Sequence, residues 1–194
     1  MTRPAVCVRA ATLDDVPALL ELWAELRDIS GRMERLIPGP DAASLRGQLT
    51  AMADDPAART LVAEVDGRVA GMMLLTAAPF APLFEQRSVH CHYLHVKDGF
   101  RRRGVGKALL AAAVTFADEV GAEHVITSVL PQMRETQRFY ARLGFGPVVV
   151  RRSATVSVLR RRLAPTGAGS VTDNLLARRR SMRRVRAAVA RVGD

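Results

Sequence analysis

The stretch HCHYLHV (90–96) sets His90, His92 and His95 among apolar and aromatic residues, and RRRGVGKALL (101–110) follows almost at once. Imidazole is the side chain whose ordinary pKa, about 6.5, lies closest to neutral pH, so a histidine can accept a proton there. Alternate residues of a strand share a face, so His90 and His92 are expected to point one way and His95 the other. In the second stretch the backbone turns through Gly104 and Gly106 into a helix. The unsatisfied N–H groups of a helix start attract anions, and glycine lets that backbone approach a ligand closely. The expected ligand is a phosphate or pyrophosphate, with Arg101, Arg102, Arg103 and Lys107 adding charge around Gly104, Val105 and Gly106. The same residues also read as partly buried strand histidines and a solvated basic turn.

The elements that must position these residues are legible from periodicity. VCVRAAT (6–12) alternates as a strand, and Thr12 caps a helix whose apolar face is Val16, Leu19, Leu20, Trp23 and Leu26. A second helix is expected at roughly 41–53. TLVAEV and RVAGMMLLTA flank Asp66-Gly67, a strong hairpin signal. After the loop PFAPLFEQRS comes the histidine strand, then the helix GVGKALLAAAVTFADEVG, the strand HVITSVL and the helix MRETQRFYARLG. PVVVRRSATVSVLRRRL reads as strand material in two pieces. The fold class is therefore α/β, with a mixed, mostly antiparallel central sheet flanked by helices and a basic helical tail at the C-terminus.

The spacing R-x-x-G-x-G, filled by Arg101, Gly104 and Gly106 between LHV (94–96) and a long helix, resembles the pyrophosphate loop of the GCN5-related N-acetyltransferase (GNAT) superfamily. FYARLGF (139–145) resembles that superfamily's F-Y-x-x-x-G-F. The resemblance implies the acyl-CoA N-acyltransferase fold, acetyl-CoA as co-substrate and no metal. It implies that Leu94, His95 and Val96 offer backbone groups to the pantetheine arm, that residues 101–107 cradle the pyrophosphate, and that Tyr140 is the general acid for the departing thiolate. Read back from Val96, HCHYLHV also resembles the HxHxxxV arrangement of arylalkylamine N-acetyltransferases, which implies His90 and His92 as a proton relay with His92 nearer the amine. Glu85 is a second candidate base acting through water, and His124 reads as structural. Met133, Thr136 and Asp98 depart from the superfamily's usual Asn, Ala and Pro, and the first change removes a side chain that often contacts the cofactor.

The implied activity is direct transfer of acetyl to a primary amine of a small molecule or a protein. The alternative is a non-catalytic acyl-CoA sensor whose tail contacts nucleic acid or an acidic partner. A hydrophobic content of 48% and a mean hydropathy of +0.05 suit a globular domain, and no apolar run reaches the roughly 18 residues of a membrane span. With no secretory signal pattern at the start, a cytoplasmic location is expected. Cys7 and Cys91 each read as a buried thiol.

The net charge of +10 is carried almost entirely by arginine, since Lys97 and Lys107 are the only lysines. Residues 1–164 are expected to form the acetyltransferase domain, 165–171 a linker and 172–194 an arginine-rich amphipathic helix. The tail's apolar stripe of Leu175, Met182, Val185, Val189 and Val192 fits packing on the domain, a homodimer contact or a solvated helix. Its charge fits nucleic acid or an acidic surface.

Overall fold

The computed structural model describes residues 5–30, 39–81, 86–130 and 132–164. The linker and tail expected at 165–194, and Glu85, lie outside the described residues. Two compact units divide the chain, Met1–Leu143 and Gly144–Asp194.

The first unit is built on a five-stranded sheet in sequence order: β1 (Val6–Ala10), β2 (Ala58–Val65), β3 (Arg68–Pro79), β4 (Arg87–Val96) and β5 (His124–Thr127). All neighbours are antiparallel except β4 and β5, which are parallel. A parallel pair needs a crossover, and α3 (Val105–Val120) supplies it. α1 (Val16–Ser30), α2 (Ala42–Ala53) and α4 (Arg134–Ala141) complete the unit. The Asp66-Gly67 turn joins β2 to β3 with both residues left-handed, at φ 52° and 70°, as a two-residue hairpin turn of right-handed twist requires.

Adjacent residues of β3 point to opposite faces, which assigns the two layers. Met72 packs with Val16, Leu19 and Leu22 of α1 and with Leu45 and Leu49 of α2. Gly71, its neighbour, faces Val105 of α3. α1 and α2 therefore cover one face and α3 the other. Each fully buried leucine on α1 contributes on the order of 2 kcal/mol by leaving water.

The start of α1 is locked by charge. Asp15 is buried, takes hydrogen bonds from the backbone N–H and hydroxyl of Thr12 (2.7 and 3.1 Å), and receives both Arg9 guanidinium nitrogens at 2.7 and 2.8 Å. Arg9 also donates to Glu64 on β2 from Nε at 2.9 Å. The Arg9 hydrogen bond, opposed by burial, holds the Asp15 carboxyl below its usual pKa.

Two expectations are corrected. Cys7 is exposed: its cross-strand partner is the half-buried, charged Glu64, whereas Val6 and Val8 pair with the buried Val65 and Ala63; only Cys91 is buried. In the second unit, residues 145–155 form no strand among the described residues, and α5 (Val156–Leu163) is a helix. The Thr155 hydroxyl accepts from the Val158 N–H at 3.4 Å and so starts a helix, which Leu159, Arg160, Arg161, Arg162 and Leu163, all good helix formers, continue. Val148, Val149 and Val150 are 77, 74 and 78% exposed. Their β propensity finds no neighbouring strand among the described residues of the unit to satisfy it.

Two outcomes test this account. A Cβ on Gly71 would stand 2.7 Å from the His95 carbonyl oxygen and 3.1 Å from Val105. Gly71→Ala should therefore destabilise the protein by about 1–3 kcal/mol in denaturant melts. Because the folded pKa of Asp15 is depressed, its contribution is present above the ordinary aspartate pKa of about 3.9 and fades as pH falls through the folded value. Asp15→Asn should cost about 2 kcal/mol at pH 7, with the gap to wild type narrowing in acid.

Candidate active site

The histidine strand is not a plain strand. Its register on β3 pairs Leu74 with His92 but Met72 with His95, so Tyr93 and Leu94 together oppose the single residue Met73. This is a bulge, and Tyr93 carries it at φ 56°, a left-handed conformation that is an outlier for an aromatic residue. The extra residue rephases the alternation. Met72, Leu74 and Thr76 share one face of β3, so their partners His95, His92 and His90 share the same face. The expectation that His95 points the other way is therefore corrected: all three histidines lie on the face of α1 and α2.

Each histidine is held differently. Ser88 donates its one hydroxyl hydrogen to the Ala78 carbonyl (3.0 Å) and sits 3.1 Å from His90 Nε2. With both bonds made, His90 Nε2 must be the donor, and a neutral ring then keeps its lone pair on Nδ1. His92 Nε2 lies 2.9 Å from the Thr76 hydroxyl, and its ring stacks on that of His90 at 6.1 Å. His95 is only 4% exposed and donates from Nε2 to Glu25 of α1 at 3.0 Å. Burial lowers its pKa, and the Glu25 carboxylate opposes that shift. His95 is thus the buried member, whereas His90 and His92 are half-buried. Tyr93 packs against Trp23 of α1 with ring centroids 4.4 Å apart, 37% exposed beside His92.

Tyr140 belongs to the opposite face. Cys91 pairs with Leu75, which alternates with Met72 and Leu74 and so faces α3. The Tyr140 hydroxyl accepts a hydrogen bond at 3.1 Å from Thr127, the β5 partner of Cys91. That bond does not consume the phenol's own proton. Burial raises the pKa of Tyr140, with the Thr127 hydrogen bond opposing, and burial pushes the Cys91 thiol up to about 12. Both groups stay protonated through the neutral range.

Between these faces the sheet opens. β4 and β5 pair from Ser88–His124 to Cys91–Thr127 and no further. From His92 to Val96, β4 has no strand partner on that side among the described residues, so its edge is available to an extended ligand. The edge leads to the glycine loop. Gly104 caps α3 at φ 94° and Arg102 is left-handed at φ 60°. Arg101, Arg102, Arg103 and Lys107 are exposed around the helix start, with Arg101 held by Asp98 at 2.8 Å. A Cβ on Gly106 would meet Phe139 at 3.4 Å and Leu94 at 3.9 Å, so this glycine also seats α4 against β4. An open strand edge running into a left-handed glycine cradle with surrounding cations fits an extended ligand that ends in a pyrophosphate.

Residues 21–145, more than half of the chain, match the model of the acetyltransferase (GNAT) family. The chain belongs to that family. Uncharacterised N-acetyltransferases of Mycobacterium tuberculosis and Mycobacterium bovis are 31% identical over 91 residues, covering 47% of this chain and 54% of theirs. The chain thus spans about half the length of the curated relatives it matches. Among solved structures, a transcriptional regulator from Bacillus halodurans aligns with TM-score 0.65 at 22% identity, over 78% of this chain and 99% of that one. Glucosamine-6-phosphate N-acetyltransferase from Arabidopsis thaliana aligns with TM-score 0.63 at 15% identity over 78% and 99%. These likenesses establish the fold.

Several residues at this GNAT site carried no sequence signal. Thr76, Ser88 and Glu25 come to the histidines across 16, 2 and 70 positions. Only Ser88, two residues before His90, could have been read from alternation. Tyr93 looked like an ordinary strand residue. Among the described residues no helix is long and apolar enough to cross a membrane, and no group of three or more His, Cys, Asp or Glu could hold a metal. Gly104→Ala should cost about 1–2 kcal/mol from its left-handed backbone alone. The measured loss of melting stability should persist without any ligand.

Proposed function

We propose that this chain transfers acetyl from acetyl-CoA directly to a primary amine, without a covalent enzyme intermediate. The observation that supports this most is the opening of β4 from β5 beyond Cys91 and Thr127, with half-buried histidines on one face and a protonated tyrosine on the other. Acetyl-CoA supplies the acetyl group as a thioester. The open edge at Leu94, His95 and Val96 gives an extended chain a row of backbone partners, and residues 101–107 take the pyrophosphate.

His92 accepts the proton that an ammonium must lose before its nitrogen can attack, and His90, stacked against it, passes the proton toward solvent. The N–C bond then forms as the C–S bond breaks, and the amine's second proton goes to His92 once His90 has passed the first on. Tyr140 gives its proton to the leaving sulfur, and the phenolate is reprotonated from solvent, so that one proton is released overall. The amine protons and the thiol proton thus travel on opposite faces of the sheet. Burial suits Tyr140 to this, because a phenol that stays neutral is a ready donor. The absence of Asn at position 133 fits a cofactor held by backbone and cations rather than by that helix.

Release of free thiol from acetyl-CoA, measured across amino acids, polyamines, aromatic amines, aminoglycosides and protein N-termini, tests the reading. Tyr140→Phe should lower kcat on the order of 10²-fold with little change in acetyl-CoA binding. His92→Gln should remove the limb of the pH profile that reports loss of the base's proton, while His95→Gln should retain it. Thiol release from none of the amine classes would refute the transfer reaction.

A further inference from the structure

Phe100, at the end of the short 3-10 turn Asp98–Phe100, carries two guanidinium groups. Arg103 from the glycine loop lies 5.4 Å from the ring centroid and Arg68 lies 5.7 Å from it. Arg68 is far away in sequence and arrives by topology. It is the first residue of β3, directly after the Asp66-Gly67 turn, and β3 begins where β4 ends, with Gly71 opposite Val96. The tip of the β2–β3 hairpin therefore stands at the same end of the sheet as the glycine loop.

Neither guanidinium is paired with a carboxylate among the described residues, and the nearby Asp98 is engaged by Arg101. Two like charges gathered on one ring repel each other, a cost that a bound anion would relieve. Attraction to the ring does not use up the hydrogen-bond donors of a guanidinium. Its five N–H donors lie in the plane and stay available, in the fork geometry that matches phosphate oxygens. The ring thus gathers two guanidinium groups next to the pyrophosphate cradle.

We propose that Arg68 and Arg103, seated on Phe100, form a subsite for a phosphomonoester dianion, the 3′-phosphate on the ribose of coenzyme A. The proposal rests on the acetyl-CoA reading above and extends it to a residue outside the glycine loop. Coenzyme A has one phosphomonoester, which carries nearly two charges at neutral pH. It lies across one ribose from the pyrophosphate, and Arg68 stands on a different element beside the loop. Two unpaired cations match that charge better than they match one phosphate of a pyrophosphate, which bears about one charge and already meets the loop's backbone N–H groups.

Titration calorimetry of the full chain with coenzyme A and with 3′-dephospho-coenzyme A tests this without relying on turnover. The wild type should bind coenzyme A on the order of ten-fold more tightly, with the preference shrinking as salt rises. Arg68→Gln, an exposed substitution checked for folding by its melting curve, should bring the two affinities close together by weakening coenzyme A alone. Phe100→Leu should do the same by removing the platform, whereas Arg101→Gln should weaken both ligands alike. Equal affinities in the wild type, or an unchanged preference in Arg68→Gln, would overturn the subsite while leaving the acetyl-CoA reading in place. Binding of neither ligand by the wild type would overturn both.

Discussion

The close approach of β3 and β4 at Gly71 governs the rest of the first unit. No side chain larger than hydrogen fits there, because the space belongs to the His95 carbonyl and to Val105 at the start of α3. Two residues earlier on β4, Tyr93 turns left-handed and adds one residue to the strand. A bulge bends the strand that bears it and increases its local twist. Here the bend follows directly after the last β4–β5 pair, Cys91–Thr127. The opening of the sheet and the regrouping of the histidines thus share one backbone cause.

The strain at Tyr93 persists because its surroundings over-determine it. Three contacts from α1 hold the end of β4: Trp23 on Tyr93 at 4.4 Å, Glu25 on His95 at 3.0 Å and Glu21 on Lys97 at 2.7 Å. The last is exposed and contributes little. The first two involve partly or fully buried partners and carry most of the restraint. Left-handed backbone at a non-glycine residue costs on the order of 1–3 kcal/mol, which the core beneath α1 readily offsets.

Charge is separated along the same strand. Beside the opening, Cys91 and Tyr140 are held neutral by burial, and His95 is kept from protonation by the same effect. At the far end of β4 stand Arg68, Arg101, Arg102, Arg103 and Lys107 around a helix start. A ligand that is neutral along its length and anionic at one end matches this division. Placing the cations at the exposed rim spares them the desolvation that would oppose an anion site in the interior.

The hairpin at Asp66-Gly67, the capped helix after Thr12, the glycine start of α3 and the order of the first nine elements were all legible in the sequence. Each depends on neighbours within a few residues, where turn chemistry and periodicity act. The family was legible for the same reason, since R-x-x-G-x-G and FYARLGF are local signatures of local backbone needs. Alternation also placed His90 and His92 together. It failed at His95, because a bulge is set by the partner strand and by the room that Gly71 leaves, and neither shows in HCHYLHV itself. It failed again at 147–163, where β-branched residues promised strands: a strand exists only when another strand accepts its hydrogen bonds, whereas the Thr155 cap needs only its own chain. The pinning of His90 by Ser88, of His92 by Thr76 and of His95 by Glu25, and the arrival of Arg68 on Phe100, were decided by tertiary structure alone. Residues far apart in the chain meet there only once the strands have chosen their register.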